Sequence, residues 1–303
     1  MNTSSPIVLV SGATGFIGRR LTSRLLEDGC RVRCMVRSSV SSVPDGAETV
    51  RADMLDPTSL PAALAGVDTA YYLVHAMSGG RAGFERRDRE AAANFVAAAE
   101  KAGVRRVIYL GGLGETGDDL SEHLKSRLEV AGILKGGRFA TTFLRAAIIL
   151  GGGGASFEMI HSLVNRLPLM ITPRWVNTRC QPIAVEDVIA YLAGCLADER
   201  TAGRTFDIGG PEVLTYREMM ERFARIEGRQ LFILPVPVLT PKLSSYWVGL
   251  ITPVPPSVSM PLIEGLKNEV ICRENSIRDL IPIPLTPYDT AVQNALANGS
   301  TDI

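Results

Sequence analysis

Short apolar runs alternate along the first two-thirds of the chain with longer stretches whose apolar positions recur every three or four residues. The first pattern predicts buried strands and the second amphipathic helices. Residues 7–10 (Ile-Val-Leu-Val) open the series, and 32–36, 48–51, 69–74, 107–110 and 142–150 continue it as strands. Helices are expected after Gly18, over 58–65, over the alanine-rich 84–102 with Gly103 as its C-cap, and over 123–134. Strands spaced by helices of ten or more residues imply right-handed crossovers and a parallel sheet with helices on both faces. The expected fold class is therefore α/β, a Rossmann-like doubly wound parallel sheet.

Beyond Gly151 the alternation breaks. Residues 157–167 read as a helix, 170–179 as an irregular stretch holding Pro173 and Trp175, and 183–196 as a turn plus helix. Glu186 and Asp187 fall in the first turn of that helix, where carboxylates suit the dipole. Residues 205–208 are expected to rejoin the main sheet as a late strand. Thr215 and Glu218 have the spacing of a capping box ahead of a helix to about 226, and 288–296 reads as a last helix. The apolar segment 231–262 carries seven prolines, which forbid a continuous helix and confine any strand to an edge. It lacks the basic face of a membrane-surface helix, so a cover over a cleft is its expected role.

Composition narrows the class without naming it. Lys plus Arg and Asp plus Glu number 32 each, which points away from nucleic acid and anionic membranes as partners. The five cysteines, Cys30, Cys34, Cys180, Cys195 and Cys272, show no paired spacing, so neither a disulfide framework nor a metal site is expected, and a reducing cytoplasm is the expected location. The opening MNTSSP is too short and polar for a signal peptide, and no uninterrupted apolar run reaches the length of a membrane span.

The chemistry begins where the first strand ends. Gly12, Gly15 and Gly18 stand between a buried strand and a helix within one unit of about 30 residues, the setting in which a triple-glycine pattern signals dinucleotide binding. Gly12 suits the tight turn, Gly15 lets the backbone approach a pyrophosphate, and Gly18 lets helix and strand pack closely. Thr14, Phe16 and Ile17 complete the loop and the helix N-terminus, whose free N–H groups favour phosphate. At the end of the second strand, where an NAD-preferring domain places an acid, this chain has Arg37. A guanidinium grips a 2′-phosphate and a carboxylate repels it, so NADP(H) is favoured over NAD(H), with Arg19 as a second candidate. The competing reading of Arg37 is a solvated residue at the sheet edge.

GATGFIG at 12–18, LVHAM at 73–77, a helix containing Asn94 and PIAVEDV at 182–188 together resemble extended or atypical short-chain dehydrogenase/reductases, and more closely their NmrA-like NAD(P)H-binding branch. The resemblance covers nearly the whole chain and loosens over the last hundred residues. It implies a Rossmann domain over 1–155 and 183–210, with a smaller discontinuous substrate-binding or cap region over 156–182 and 211–303. It further implies adenine contacts at Asp53 and Met54, and a cofactor lining from His75, Ala76 and Gly111. The parent family acts through Ser, Tyr and Lys; here Gly111 and Gly112 stand where the Ser is expected, and the Tyr-x-x-x-Lys spacing falls on His123 and Arg127. His123 then reads either as an acid or base, its ordinary pKa lying near neutrality, or as passive lining, with Arg127 keeping a cofactor ribose contact. Ser126 is expected to face the cleft only in part, and Lys125 to point elsewhere. Arg174, Trp175 and Arg179, with Gln181, are the candidate substrate pocket, and His161, on the apolar 157–167 helix, reads as a satisfied histidine. Two functions follow: an NADPH-dependent reductase of a small carbonyl, enone or quinone, or a non-catalytic dinucleotide-binding sensor or assembly protein. Either is expected as a monomer or homodimer with a small-molecule ligand.

Overall fold

The structure, a computed structural model, describes residues 6–37, 43–74, 84–113, 122–236, 265–266 and 268–299. In chain order the main sheet receives β1 (Ile7–Ser11), β2 (Arg31–Val36), β3 (Glu48–Arg51), β4 (Val67–Tyr72), β5 (Arg106–Gly112), β6 (Ala140–Ala146) and, after a long excursion, β11 (Thr205–Ile208). Their spatial order is β11-β6-β5-β4-β1-β2-β3, and every neighbouring pair is parallel. The order reverses between β1 and β4, the switch point at whose carboxyl end open α/β sheets bind ligands.

Helices cover both faces. On one lie α2 (Leu60–Leu64), α3 (Phe84–Ala102) and α4 (Glu122–Lys135), packed on Leu9, Ala70, Tyr72 and Val107. On the other lie α1 (Phe16–Glu27) and α6 (Val185–Ala197), packed on Val8, Val10, Tyr71 and Ile108. Helix α3 spans the predicted residues and ends as expected, with Gly103 at φ +73° and Val104 N–H returning to the Ala99 carbonyl.

A third core gathers the remaining elements: β7 (Ile149–Leu150), α5 (Ala155–Arg166), β8 (Leu169–Pro173), a 3₁₀ turn (Arg174–Asn177), β9 (Arg179–Cys180), β10 (Ile183–Ala184), β12 (Leu214–Thr215), α7 (Tyr216–Ile226), β13 (Phe232–Val236) and α9 (Tyr288–Gly299). Phe157, Phe223, Met219 and Val292 meet at its centre. The expected single strand over 142–150 is two strands: after Ala146 the Ala147 N–H donates to Ile208 O, and Ile149 leaves the main sheet to pair with Ile183. An unbroken apolar run carries no mark of that change of partner. The Thr215–Glu218 capping box is present with both reciprocal bonds, and the proline-bearing β13 pairs only with β8 in a two-stranded sheet, as its Pro235 requires. The rest of the proline-rich segment, 237–262, lies outside the described residues.

The chain returns to the main sheet before its end. Helix α8 (Ser276–Leu280) packs Ile277 and Ile281 against the α6 face of the sheet rather than into the third core. Asp207 on β11, with its side chain enclosed, binds Arg145 Nη2 at 2.5 Å and accepts the Arg273 N–H at 2.9 Å, while Glu274 accepts the Asp207 N–H at 2.7 Å. Among the described residues, no helix is long and apolar enough to cross a membrane.

Candidate functional site

The end of β1 is built to bring backbone close to a ligand. Ser11 Oγ donates to Tyr71 O at 2.8 Å and accepts the Leu73 N–H at 3.1 Å, tying the ends of β1 and β4 together. Gly12 then turns at φ +68°, with a Cβ there falling 2.7 Å from the Leu73 carbonyl oxygen. A Cβ on Gly18 would collide with the Gly12 carbonyl oxygen and sit 2.8 Å from Ala13 Cα, whereas one on Gly15 meets only Gly12 O, at 3.2 Å. The first and third glycines thus serve the fold, and the second leaves open space at the cleft. No side chain caps α1, so its first-turn N–H groups remain free for an anion. This cradle fits a dinucleotide pyrophosphate.

One cleft of about 720 Å³, within the usual range of ligand sites, begins at this cradle. Gly12, Thr14, Gly15, Phe16, Ile17 and Gly18 line its start, and Arg37, Asp53 and Met54 line it along the ends of β2 and β3. Arg37 is exposed there and forms no ion pair among the described residues; Arg51 Nε donates to its carbonyl at 3.1 Å. Asp53 Oδ1 accepts the Leu55 N–H at 2.9 Å, and Asn94 Nδ2 on α3 holds the Met54 carbonyl at 3.0 Å, so that turn is fixed from two sides. Arg19 is exposed and does not line the cleft; its neighbour Arg20 instead lies 4.5 Å over the Phe16 ring and donates to Gly152 O at 2.9 Å. That ring packs where Cβ atoms of Gly151 and Gly154 would be, at 3.0 and 2.9 Å, which draws the loop before α5 over the cradle. His75 and Ala76 lie outside the described residues.

Gly111, Gly112 and Arg127 all line the cleft. At Gly111 a Cβ would lie 2.5 Å from the Phe143 ring, which stacks on Tyr109 at 5.0 Å. An aromatic pair therefore occupies the room a serine needs. Ser126 is 2 % exposed and donates to Asp88 Oδ2 at 3.3 Å between α4 and α3, so it faces the helix interface rather than the cleft. His123 stands in the first turn of α4, its side chain outside the described residues, as are those of Lys125 and Arg174.

Across from the cradle the cleft is lined by Met159, Ile160, Leu163, Trp175, Tyr216 and Met220. Trp175 is part of that lining. Arg179 is not: it is exposed, ion-paired with Glu269 at 2.8 Å, and outside the cleft lining, because the β9–β12 pairing turns it to the surface. Gln181 bridges backbone groups, donating to Gly210 O at 2.7 Å and accepting the Cys272 N–H at 3.0 Å. His161 lies half-exposed at the edge of the third core beside Phe157 and Phe223, with Nε2 3.5 Å from Glu227. The sequence reading missed Tyr216, which stands out in the sequence only as the residue after an N-cap. It also missed Arg87 and the 146–149 stretch, which no motif marks. Among the described residues no cluster of His, Cys, Asp or Glu has metal-binding geometry.

Cradle, switch point and strand order are those of a dinucleotide-binding Rossmann fold, and the comparisons agree with that fold. Residues 12–147 match the NAD(P)H-binding family model. A chloroplastic divinyl chlorophyllide a 8-vinyl-reductase of Zea mays is 28% identical over 255 residues, 78% of this chain and 63% of its own length. The chain thus spans under two-thirds of that relative. The mitochondrial NADH dehydrogenase [ubiquinone] 1 alpha subcomplex subunit 9 of Arabidopsis thaliana is 24% identical across 95% of this chain and 77% of its own. The Citrobacter sp. triphenylmethane reductase, solved with NADP(H), shares the fold with a TM-score of 0.78 at 20% identity, over 95% of this chain and 99% of that one. The resemblance to atypical short-chain dehydrogenase/reductases holds.

Proposed function

We propose that this chain is an NADPH-dependent reductase acting on a small, largely apolar acceptor: a carbonyl, enone or quinone. The observation that carries the reading is the continuity of the cleft, which joins a phosphate cradle to a wall of aliphatic and aromatic side chains in one cavity. In this reading 1–155 and 183–210 hold the cofactor, and 156–182 with 211–303 shape the acceptor end. The Gly12–Gly18 loop and the α1 N-terminus hold the pyrophosphate, Asp53 and Met54 border the adenine, and Arg37 pairs with the 2′-phosphate, which makes NADP(H) the preferred cofactor. Bound NADPH supplies hydride. Arg127 orients the cofactor ribose from α4, and His123 in the turn before it is the proton donor that the sequence assigns. The filled space at Gly111 favours acceptors in which hydride goes to a conjugated carbon, since these do not need a Ser-Tyr-Lys triad at the reacting carbon. The vinyl and triphenylmethane reductases among the relatives support the same reading.

NADPH oxidation against a panel of quinones, enones and aldehydes tests it. Turnover that falls about a hundredfold in His123→Ala identifies the proton donor; unchanged turnover assigns that proton to water. The breadth of the match to the NADH dehydrogenase subunit favours the second reading, a non-catalytic dinucleotide-binding component of an assembly. Tight NADPH binding with no oxidation by any acceptor decides for it.

A further inference from the structure

The acceptor wall carries a tyrosine whose hydroxyl is unused. Tyr216 opens α7, fixed by the Thr215 cap on one side and by its own N–H to Thr178 O at 3.3 Å on the other. Its ring is 7 % exposed, lines the cleft, and meets Trp175 edge-on with centroids 6.0 Å apart at 84°. Buried tyrosine hydroxyls ordinarily find a partner. Tyr71 donates to Leu192 O at 2.9 Å and Tyr288 to Met219 O at 2.8 Å. Among the described residues nothing hydrogen-bonds the Tyr216 hydroxyl, which is not fully enclosed and belongs to a side chain that lines the cleft. Desolvation holds its pKa well above the ordinary value, and at neutral pH it is an uncharged donor. The side chains beside it, Met159, Ile160, Leu163 and Met220, offer that donor nothing.

We propose that Tyr216 is a substrate-binding residue whose hydroxyl donates a hydrogen bond to a carbonyl-type oxygen of the acceptor. From α7 it takes the place in recognition that the family's tyrosine occupies on the helix here carrying His123 and Arg127. The site then selects apolar molecules bearing one such oxygen over equally apolar hydrocarbons. This rests on reading the cleft as a reductase site.

The test is binding to the full chain held with NADP⁺, which has no hydride to give, measured by calorimetry with naphthoquinone and naphthalene as probes. The wild-type chain binds naphthoquinone more tightly than naphthalene. Tyr216→Phe weakens naphthoquinone about five- to tenfold, the scale of one hydrogen bond, and leaves naphthalene unchanged. Because the hydroxyl holds no protein partner, the variant melts within about 1 °C of wild type. Tyr216→Leu removes the same preference and stands in should Tyr216→Phe fail to fold. A wild-type chain without preference for the quinone, or a preference that survives both variants, overturns the proposal. NADPH oxidation is measured separately. A Tyr216-dependent preference without turnover keeps the ligand site and rejects the reductase, and turnover without that preference does the reverse.

Discussion

Two glycines of the cradle, three residues apart, are expected to fail in different ways. A methyl on Gly18 points into backbone: it collides with the Gly12 carbonyl oxygen and lies 2.8 Å from both Gly12 C and Ala13 Cα. No side chain can swing aside, so α1 must retreat from β1 by more than half an ångström. Overpacking of this kind costs about 1–3 kcal/mol, and the gain in helix propensity returns up to about 1 kcal/mol. Because backbone cannot yield, the cost sits at the upper end of that range, and the net of about 2 kcal/mol lowers the melting temperature of Gly18→Ala by about 3 °C, at about 2.1 cal/mol/K of unfolding entropy per residue. The retreat also carries the α1 N–H groups away from the Gly12 turn, and NADPH binding weakens with it. Gly15 has an ordinary φ of −80°, and a methyl there meets only one atom within 4 Å, at 3.2 Å. Gly15→Ala therefore keeps its melting temperature within about 1 °C, yet its methyl enters the space the pyrophosphate needs, and the NADPH Kd rises at least about tenfold. Scanning calorimetry and a fluorescence titration with NADPH separate the two. Gly18→Ala melting like wild type, or Gly15→Ala binding NADPH like wild type, would refute the division of labour between these glycines.

Arg37→Ala lowers the ratio of NADPH to NADH affinity at least about tenfold, and Arg37→Glu reverses the preference; an unchanged ratio in both ends the 2′-phosphate assignment. Asp207→Ala leaves Arg145 without its counter-ion and the Arg273 N–H without its acceptor. Urea unfolding is expected to report a loss of about 3–5 kcal/mol. The Arg105 hydrogen bond, at 3.1 Å, holds the Asp68 carboxyl below its ordinary pKa. Its stabilisation is therefore present above the unfolded pKa and lost as the pH falls through the lowered folded value. Asp68→Asn costs under about 1 kcal/mol at pH 7, because the pair is partly solvated, and unfolding curves of mutant and wild type converge below pH 4. Gly111→Ser drives its Cβ into the Phe143 ring and destabilises by about 1–3 kcal/mol without raising turnover; a stable, more active variant would contradict the account of that strand end.

The sheet and its order were legible because buried parallel strands must be apolar on both faces and their crossover helices must be long. The α3 bounds came out to the residue, since an alanine-rich repeat ends at a glycine that can adopt positive φ. What failed was partner choice. Ile149 and Leu150 are as apolar as Phe143 and Leu144, and nothing in residue type says that the first pair joins Ile183 and Ala184 while the second stays with β5. Arg179 failed for a related reason. One residue of strand register decides whether a side chain faces the cleft or Glu269, and a two-residue strand is too short to display its register in sequence.

The cleft divides along the same physical line. Its cofactor half is made of backbone, and backbone geometry leaves a trace in sequence because only glycine tolerates the Gly12 turn and the Gly18 contact. Its acceptor half is made of side chains from α5, α7 and the 3₁₀ turn, far apart in the chain, and their convergence is a property of the third core alone. Gly111 shows how the two halves constrain each other. The Tyr109–Phe143 stack fills the site of a catalytic serine with core, so restoring the hydroxyl requires repacking the sheet end. In the proposed reading, a cleft whose family serine is closed off by packing binds its acceptor from the opposite wall, where the Tyr216 hydroxyl and the indole N–H of Trp175 have no hydrogen-bond partner among the described residues. The proposed recognition therefore rests on a residue that carries no motif, positioned by a capping box whose sequence signature speaks only of helix geometry.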